Sequence, residues 1–489
     1  LLVTAWSAGG LVLWLAGGLL LLASPRFFGH VFNNLKDMPE ACLYTLSVLA
    51  GYGALRTGRL AAWLGCGALA GLAVAQKING IFIPLQLALV FGLAQVGRGR
   101  SELRWSWPGF GAAAATMLAT FAVVSPVYWL DPLGQAQDFI DFIANVGNAH
   151  TSTGSPVERS GYAMHSVDHV LWTTPPWLLG LGLLGVCRPK LGRGLRMLLL
   201  MGVLLPVGRT LLPGMRDFDG VRHFLEFYPM LALSAGVAVQ GFAAWIAERW
   251  SPARRPLVAG VLTVAVVAPG VAQVADTHPH GICYFNGLSG GLPGGQERGL
   301  ADATDYWGHS YWQALDWVND QLPEGAALVV PVAGHLVESS APVRLRDDIL
   351  LCRAGITDTL PDDVPLYVMY VTRRNWYPPF LKPLDRTEIP VHQVLVQGAP
   401  ILKVLRLEPG AQAQQAVETW HASMTARSLG QRLQIWMAAH PKKARQVQQW
   451  MASWQRDPVA ARAALEDLLP PDLAADLDAM VSQMSGGRR

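Results

Sequence analysis

Apolar runs of membrane-spanning length recur through the first 274 residues, and short polar loops separate them. A bilayer crossing takes roughly 20 mostly apolar residues, and shorter runs serve inside a bundle. By that measure nine spans are expected, at about 2–24, 40–55, 60–76, 79–97, 108–129, 170–187, 196–213, 224–247 and 256–274. The fifth and eighth are the clearest; the second and seventh are short, and Arg209 interrupts the seventh. Composition agrees: 51% of residues are hydrophobic and 15% charged, against about a quarter charged in soluble domains. A net charge of +3 gives no argument for a nucleic-acid partner.

Lys and Arg in the loops orient the bundle. The loops "RTGR", "GRGRSELR", "CRPKLGRGLR" and "ERWSPARR" hold 12 basic and 2 acidic residues, which marks them as cytoplasmic. They alternate with "PRFFGHVFNNLKDMPE", "QKING", the long stretch 130–169 and "RTLLPGMRDFDGVRH", which therefore face outward. The ninth span then runs outward and leaves residues 275–489 extracytoplasmic. In that part "GAALVVPVAG", "VPLYVMYVT" and "HQVLVQGAPILKVLRL" read as strands, and "SYWQALDWVNDQL" as a helix with Trp312, Leu315 and Val318 on one face. The expected fold class is an α-helical polytopic membrane protein with a C-terminal extracytoplasmic α/β domain and a helical tail. The expected domains are 1–274, 275–408 and 409–489.

Five cysteines show no metal-type spacing. Cys42, Cys66 and Cys187 fall in or beside apolar segments and read as small buried hydrophobes; Cys283 and Cys352 are left as a pairing open to an extracytoplasmic domain. The chain opens on Leu1 inside an apolar run without a charged n-region, which reads as a fragment rather than a signal peptide.

No Walker-type loop, GxGxxG fingerprint or HExxH occurs, which argues against a nucleotide-driven pump or a zinc peptidase. Ionisable residues instead gather at the outer ends of spans: Lys36, Lys77, Arg209, Arg216 and Arg222 with Asp37, Asp131, Asp217 and Asp219. Aromatic residues accompany them in "PVYWLDP" (Tyr128, Trp129), "LWTTPPW" and "FLEFYP". Each alone has an ordinary reading as an interfacial anchor or a snorkelling cation. Recurrence on one face points to a site. Arg and Lys there suit a lipid phosphate, and stabilise it as a leaving group; a nearby carboxylate suits a general base on an acceptor hydroxyl. His150, His165 and His169 in the long outward loop are read as solvated, with only the last two able to share a helical face, so no metal ligands are assigned. No cofactor follows from the motifs, although a divalent metal fits such chemistry.

An ordered series of stretches resembles polytopic GT-C glycosyltransferases, specifically the bacterial relatives of protein O-mannosyltransferases (glycosyltransferase family 39). They are "SPRFFGHVFNNLKDMP", "GLAVAQKINGIFIP", "VVSPVYWLDPL", "WTTPPWLL", "GVRHFLEFYPMLALSAG" and "HPHGICYFNGLSGGLPGG" followed by "DYWGHSYWQALDWVN". The resemblance implies transfer of a sugar from a polyprenyl-phosphate donor to an acceptor on the extracytoplasmic side of an inner membrane, without a nucleotide-sugar. It implies a catalytic carboxylate at Asp37 and donor-phosphate contacts at Lys77, Arg222 and His223. Arg216 is grouped with the phosphate contacts. Tyr128 and Trp129 are grouped as sugar or acceptor contacts with Asp305, Tyr306 and Trp307 of "DYWGHSYW", for which structural packing is an equal reading. The principal acid of such enzymes, usually in the first outward loop, is expected upstream of Leu1. Two other functions use the same charges: a secondary transporter or lipid flippase, and a non-catalytic envelope assembly protein.

Overall fold

The structure is a computed structural model; it describes residues 10–96, 101–151, 165–212, 219–352, 360, 363–440 and most of 443–477. The chain divides into two compact units. The first comprises the described residues of Leu1–Ile140, Pro156–His309 and Leu395–Ile401; the second comprises those of Asp141–Ser155, Ser310–Val394 and Leu402–Arg489.

The first unit is helical. Among the described residues four helices are long and apolar enough to cross a membrane: Ile78–Gln95, Trp107–Val124, Phe227–Trp250 and Arg255–Thr277. A fifth crossing results if Leu15–Leu22 and Pro25–Asn33, bent by 76°, form one broken span. Helices Asp37–Thr57, Leu60–Gln76, Pro176–Val186 and Arg193–Arg209 occupy the other expected span positions. Arg255–Thr277 reaches a mean hydropathy of 2.1, yet only 17% of its apolar window is buried. A contiguous apolar face of that size needs lipid rather than water around it. The protein is a polytopic membrane protein.

Helix Phe227–Trp250 is the centre of the bundle, with 72% of its window buried, and packs against Gly10–Leu22, Pro176–Val186 and Arg193–Arg209. A second layer is formed by Asp37–Thr57, Leu60–Gln76 and Trp107–Val124. Here Gly67 and Gly71, four residues apart, let two backbones touch: a Cβ on Gly67 would lie 2.2 Å from the Ala113 carbonyl oxygen, and one on Gly71 2.5 Å from that of Met117. Small residues at this spacing allow close helix approach where lipid gives no hydrophobic drive.

The long stretch 130–169 is more ordered than its sequence implied. Helices Pro132–Thr151 and His165–Thr173 occupy most of it. Residues 278–309, expected to open the extracytoplasmic domain, group with the membrane unit instead. The physical reason is a set of buried polar contacts: Asn286 Nδ2 donates to the carbonyls of Leu171 (2.6 Å) and Thr174 (2.7 Å), and its backbone N–H donates to Trp172 (2.8 Å).

A five-stranded sheet is formed by β1 (Ala327–Val329), β2 (Leu350–Leu351), β3 (Leu366–Val371), β4 (His392–Val396) and β5 (Ala399–Leu407), in the order β2-β1-β3-β5-β4; all of it but residues 395–401 belongs to the second unit. β1 pairs in parallel with β2 and β3, and β3 pairs antiparallel with β5 from Leu366↔Leu407 to Val371↔Leu402. Every residue of β3 is buried, as a central strand covered on both faces requires. Helix Ser310–Gln321 buries Leu315 and Val318 as expected, together with Tyr311 and Ala314; Trp312, expected on the same face, is exposed and lies under the Arg344 guanidinium. The tail forms its own small core of Leu429, Leu433, Val447, Leu465, Leu469 and Leu473.

All five cysteines are free thiols, so Cys283 and Cys352 are not bridged; burial pushes both thiols up, Cys352 to about 12. Cys66 is buried as expected, whereas Cys42 on helix Asp37–Thr57 and Cys187 just past helix Pro176–Val186 are exposed.

Candidate functional site

Asp37 begins helix Asp37–Thr57 because Asn34, three residues earlier, closes a local ring with it. The Asp37 N–H donates to Asn34 Oδ1 (2.8 Å), and Asn34 Nδ2 donates to Asp37 Oδ2 (2.9 Å). That leaves Oδ1 aimed at Lys77, whose Nζ lies 2.8 Å away; both side chains are under 10% exposed. Lys77 sits where helix Leu60–Gln76 ends and the backbone turns extended into the Ile78–Ile81 turn, so its stem points back along the Asp37 helix rather than into solvent.

The same ammonium donates to the Arg222 carbonyl (3.4 Å). Asn79 Nδ2 donates to the His223 carbonyl and to Glu226 Oε1, both at 3.1 Å. Arg209 Nη2 reaches the same two acceptors at 2.7 Å. Three donors from two helix ends thus grip residues 222–226, the short turn that leads into the central helix. Arg222 is the most exposed cation of this group at 23%; it pairs with Asp219 (3.2 Å), its Nε donates to His223 Nε2 (3.2 Å), and its guanidinium lies 5.7 Å from the Trp307 ring. Burial, with Lys77 and Arg222 adding to it, holds the His223 imidazole well below its ordinary pKa. His223 is therefore a neutral acceptor toward Arg222, not a third positive charge.

A further layer runs through residues that the sequence reading did not single out. His30 Nδ1 lies 3.2 Å from Asn34 Nδ2, its Nε2 lies 3.5 Å from the Tyr306 hydroxyl, and its ring meets Trp307 edge-on at 5.5 Å. Arg26 is wholly buried, donates to the Tyr284 carbonyl (3.0 Å) and the Tyr306 hydroxyl (3.4 Å), and lies 5.0 Å from the Phe285 ring. Gly29 lets this helix touch the Gly281–Cys283 turn, since a Cβ there would sit 2.6 Å from the Ile282 nitrogen. Glu40 and Glu226 are both buried, with Arg209 paired to Glu226 at 2.7 Å. The available signal was the presence of Arg26, His30 and Glu40 with Asp37 in one stretch between two apolar runs.

Asp37, Lys77, Arg222, His223, Tyr306 and Trp307 are thus linked by contacts within one cluster. Asp305 is completely buried and accepts from the backbone of Trp307 (3.2 Å) and Gly308 (2.9 Å), so it shapes the turn that presents its neighbours. Tyr128 packs on Phe121, and Trp129 Nε1 donates to the Ala122 carbonyl (2.6 Å) with the ring 64% exposed. Neither has a contact with the cluster among those described. Arg216 lies outside the described residues. Lys36 is exposed, while Asp37 beside it is buried.

Chemically, the cluster offers one carboxylate held between an ammonium and an amide, and an Arg presented on an aromatic face. Residues 13–129 match a family model. It is described as dolichyl-phosphate-mannose-protein mannosyltransferase, and the match contains Asp37 and Lys77. It supports the resemblance to GT-C glycosyltransferases over about a quarter of the chain. Among solved structures, ArnT from Cupriavidus metallidurans bound to undecaprenyl phosphate aligns at 17% identity over 83% of this chain and 80% of that chain, with a TM-score of 0.39. No curated protein matches the chain.

Proposed function

We propose that the protein transfers a glycosyl group from a polyprenyl-phosphate-linked donor to an acceptor hydroxyl at the outer face of the membrane. The observation that carries this reading is the buried Asp37–Lys77 pair, inside the segment that matches the mannosyltransferase family model. A carboxylate to take the acceptor proton and a cation to neutralise the leaving phosphate are the two groups that such a transfer needs.

In this reaction the acceptor oxygen attacks the anomeric carbon, the bond from that carbon to the phosphate oxygen breaks, and polyprenyl phosphate leaves. Asp37 takes the acceptor proton; Lys77 and Arg222 neutralise the charge growing on the departing phosphate. Lys77 serves as a point charge, and Arg222 offers a planar fork held against Trp307. Release of Lys77 from Asp37 toward the phosphate leaves the carboxylate free to act as base. The bilayer presents the donor, and the acceptor is a protein, lipid or glycan hydroxyl on the extracytoplasmic side.

The test is to reconstitute the purified chain in vesicles with polyprenyl phosphates carrying radiolabelled hexose or pentose. Loss of label from the lipid to an acceptor or to water supports the reading. No loss from any donor, in protein that melts cooperatively, overturns it.

A further inference from the structure

Helix His165–Thr173 places His165 and His169 on one face, four residues and about one turn apart. Their rings lie 4.1 Å apart, and both Nε2 atoms are buried without a hydrogen-bond partner. Both point at one oxygen: His165 Nε2 is 3.8 Å and His169 Nε2 3.9 Å from Asp302 Oδ2. The three donor atoms lie within 4.8 Å of one another. Solvated loop histidines were expected here; instead His169 is 3% exposed and His165 14%.

The tautomer decides what this arrangement means. His169 Nδ1 lies 3.0 Å from the His165 carbonyl, which can only accept, so Nδ1 carries the proton. Its Nε2 is then a lone pair facing a carboxylate oxygen, and two lone pairs repel unless a cation lies between them.

We propose that His165, His169 and Asp302 bind one divalent cation of the zinc class, and that the cation braces the turn carrying Arg222. Zinc takes imidazole nitrogen and carboxylate oxygen at about 2.0–2.2 Å, which sets tetrahedral donors about 3.4 Å apart. The His–Asp separations of 3.8 and 3.9 Å come within about half an ångström of that spacing. The outer contacts are those of a ligand set: the His169 Nδ1–H is held by a carbonyl, and Asp302 Oδ2 accepts from the Gly220 N–H at 2.9 Å. Asp302 at φ 53, Asp219 at φ 60 and Gly220 at φ 70 are all left-handed, so two tight turns are brought together at this carboxylate. Asp219 in turn pairs with Arg222, which connects the cation site to the loop of the candidate catalytic cluster. Two histidines and one carboxylate leave a coordination position open.

This inference does not depend on the transferase reading, because its readout is metal content. Untagged full chain in detergent is stripped with chelator, titrated with Zn²⁺, desalted and assayed by elemental mass spectrometry. The expected result is about one zinc per chain, with affinity falling at least about tenfold in His169→Ala and Asp302→Asn and unchanged in His440→Ala. No stoichiometric zinc in the unmodified chain, or equal zinc in a His165→Ala/His169→Ala variant, overturns the proposal. Co²⁺ loaded into the unmodified chain gives a test free of folding effects. Intense visible bands of a four-coordinate site support it, and the weak spectrum of aqueous cobalt contradicts it.

Discussion

Lys77 Nζ lies 2.8 Å from Asp37 Oδ1, and the same nitrogen donates to the carbonyl of Arg222. One ammonium therefore ties the start of helix Asp37–Thr57 to the turn before the central helix, and its own contact with Arg222 spans 145 residues of sequence. Removing one partner leaves a buried charge uncompensated, which typically costs about 3–5 kcal/mol. Lys77→Met is expected to lower the melting temperature in detergent, and Asp37→Asn/Lys77→Met together to recover most of the loss. A double variant as unstable as the sum of the singles would show that the pair has no coupling.

The Arg209–Glu226 pair gives a second cycle away from the proposed chemistry. Both groups are nearly inaccessible, and Arg209 also holds the His223 carbonyl. Arg209→Met is expected to destabilise by about 3–5 kcal/mol, and Glu226→Gln to lessen that cost. Chemical denaturation in mixed micelles measures both, and additivity would contradict a direct pair.

Gly67 tests the second helical layer. A methyl group there would meet the Ala113 backbone, which no side-chain rotation relieves. Gly67→Ala is expected to cost about 1–3 kcal/mol, while Gly65→Ala, with nothing within 4 Å, leaves stability unchanged or raises it. Equal melting temperatures for the two variants would place the helices further apart than described.

Acid sensitivity follows from His223 and His309, whose imidazoles burial holds below their ordinary value of 6.5. Above that pH both are neutral folded or unfolded, so they contribute no pH dependence. Below it the unfolded chain takes up protons that the folded chain refuses, and stability falls by up to about 1.4 kcal/mol per pH unit for each histidine. Melting temperature is expected to be flat from about pH 7 to 8.5 and to fall below about 6.5. His223→Gln should flatten that fall, and an unchanged slope would remove His223 as a source.

The membrane helices were legible because hydropathy is a local property. Among the described residues each of the nine apolar runs contains a helix, although four of these helices meet the length and apolarity of a crossing by themselves. The strands of the second unit were legible from β-branched runs between Gly and Pro, as at Leu366–Val371. What escaped was long-range and polar. Asp302 gives no hint in "GLADATDYW" that it meets His165 and His169, some 135 residues earlier. The grouping of 278–309 with the membrane unit was hidden because it rests on Asn286 and on backbone carbonyls, which carry no hydropathy signal. Glu40 and Arg26 were passed over because an ionisable residue beside an apolar run reads as an interfacial anchor, and only folding shows what surrounds it.

The measurement that bears most directly on the proposed chemistry is transfer of labelled sugar from polyprenyl phosphate by the purified chain and by Asp37→Asn, which keeps the side-chain volume and the Asn34 contact at the backbone. A general base contributes about 10²–10⁴-fold. The account predicts a fall in kcat of that size with donor KM changed far less. Full activity in Asp37→Asn would contradict it and remove Asp37 from the reaction.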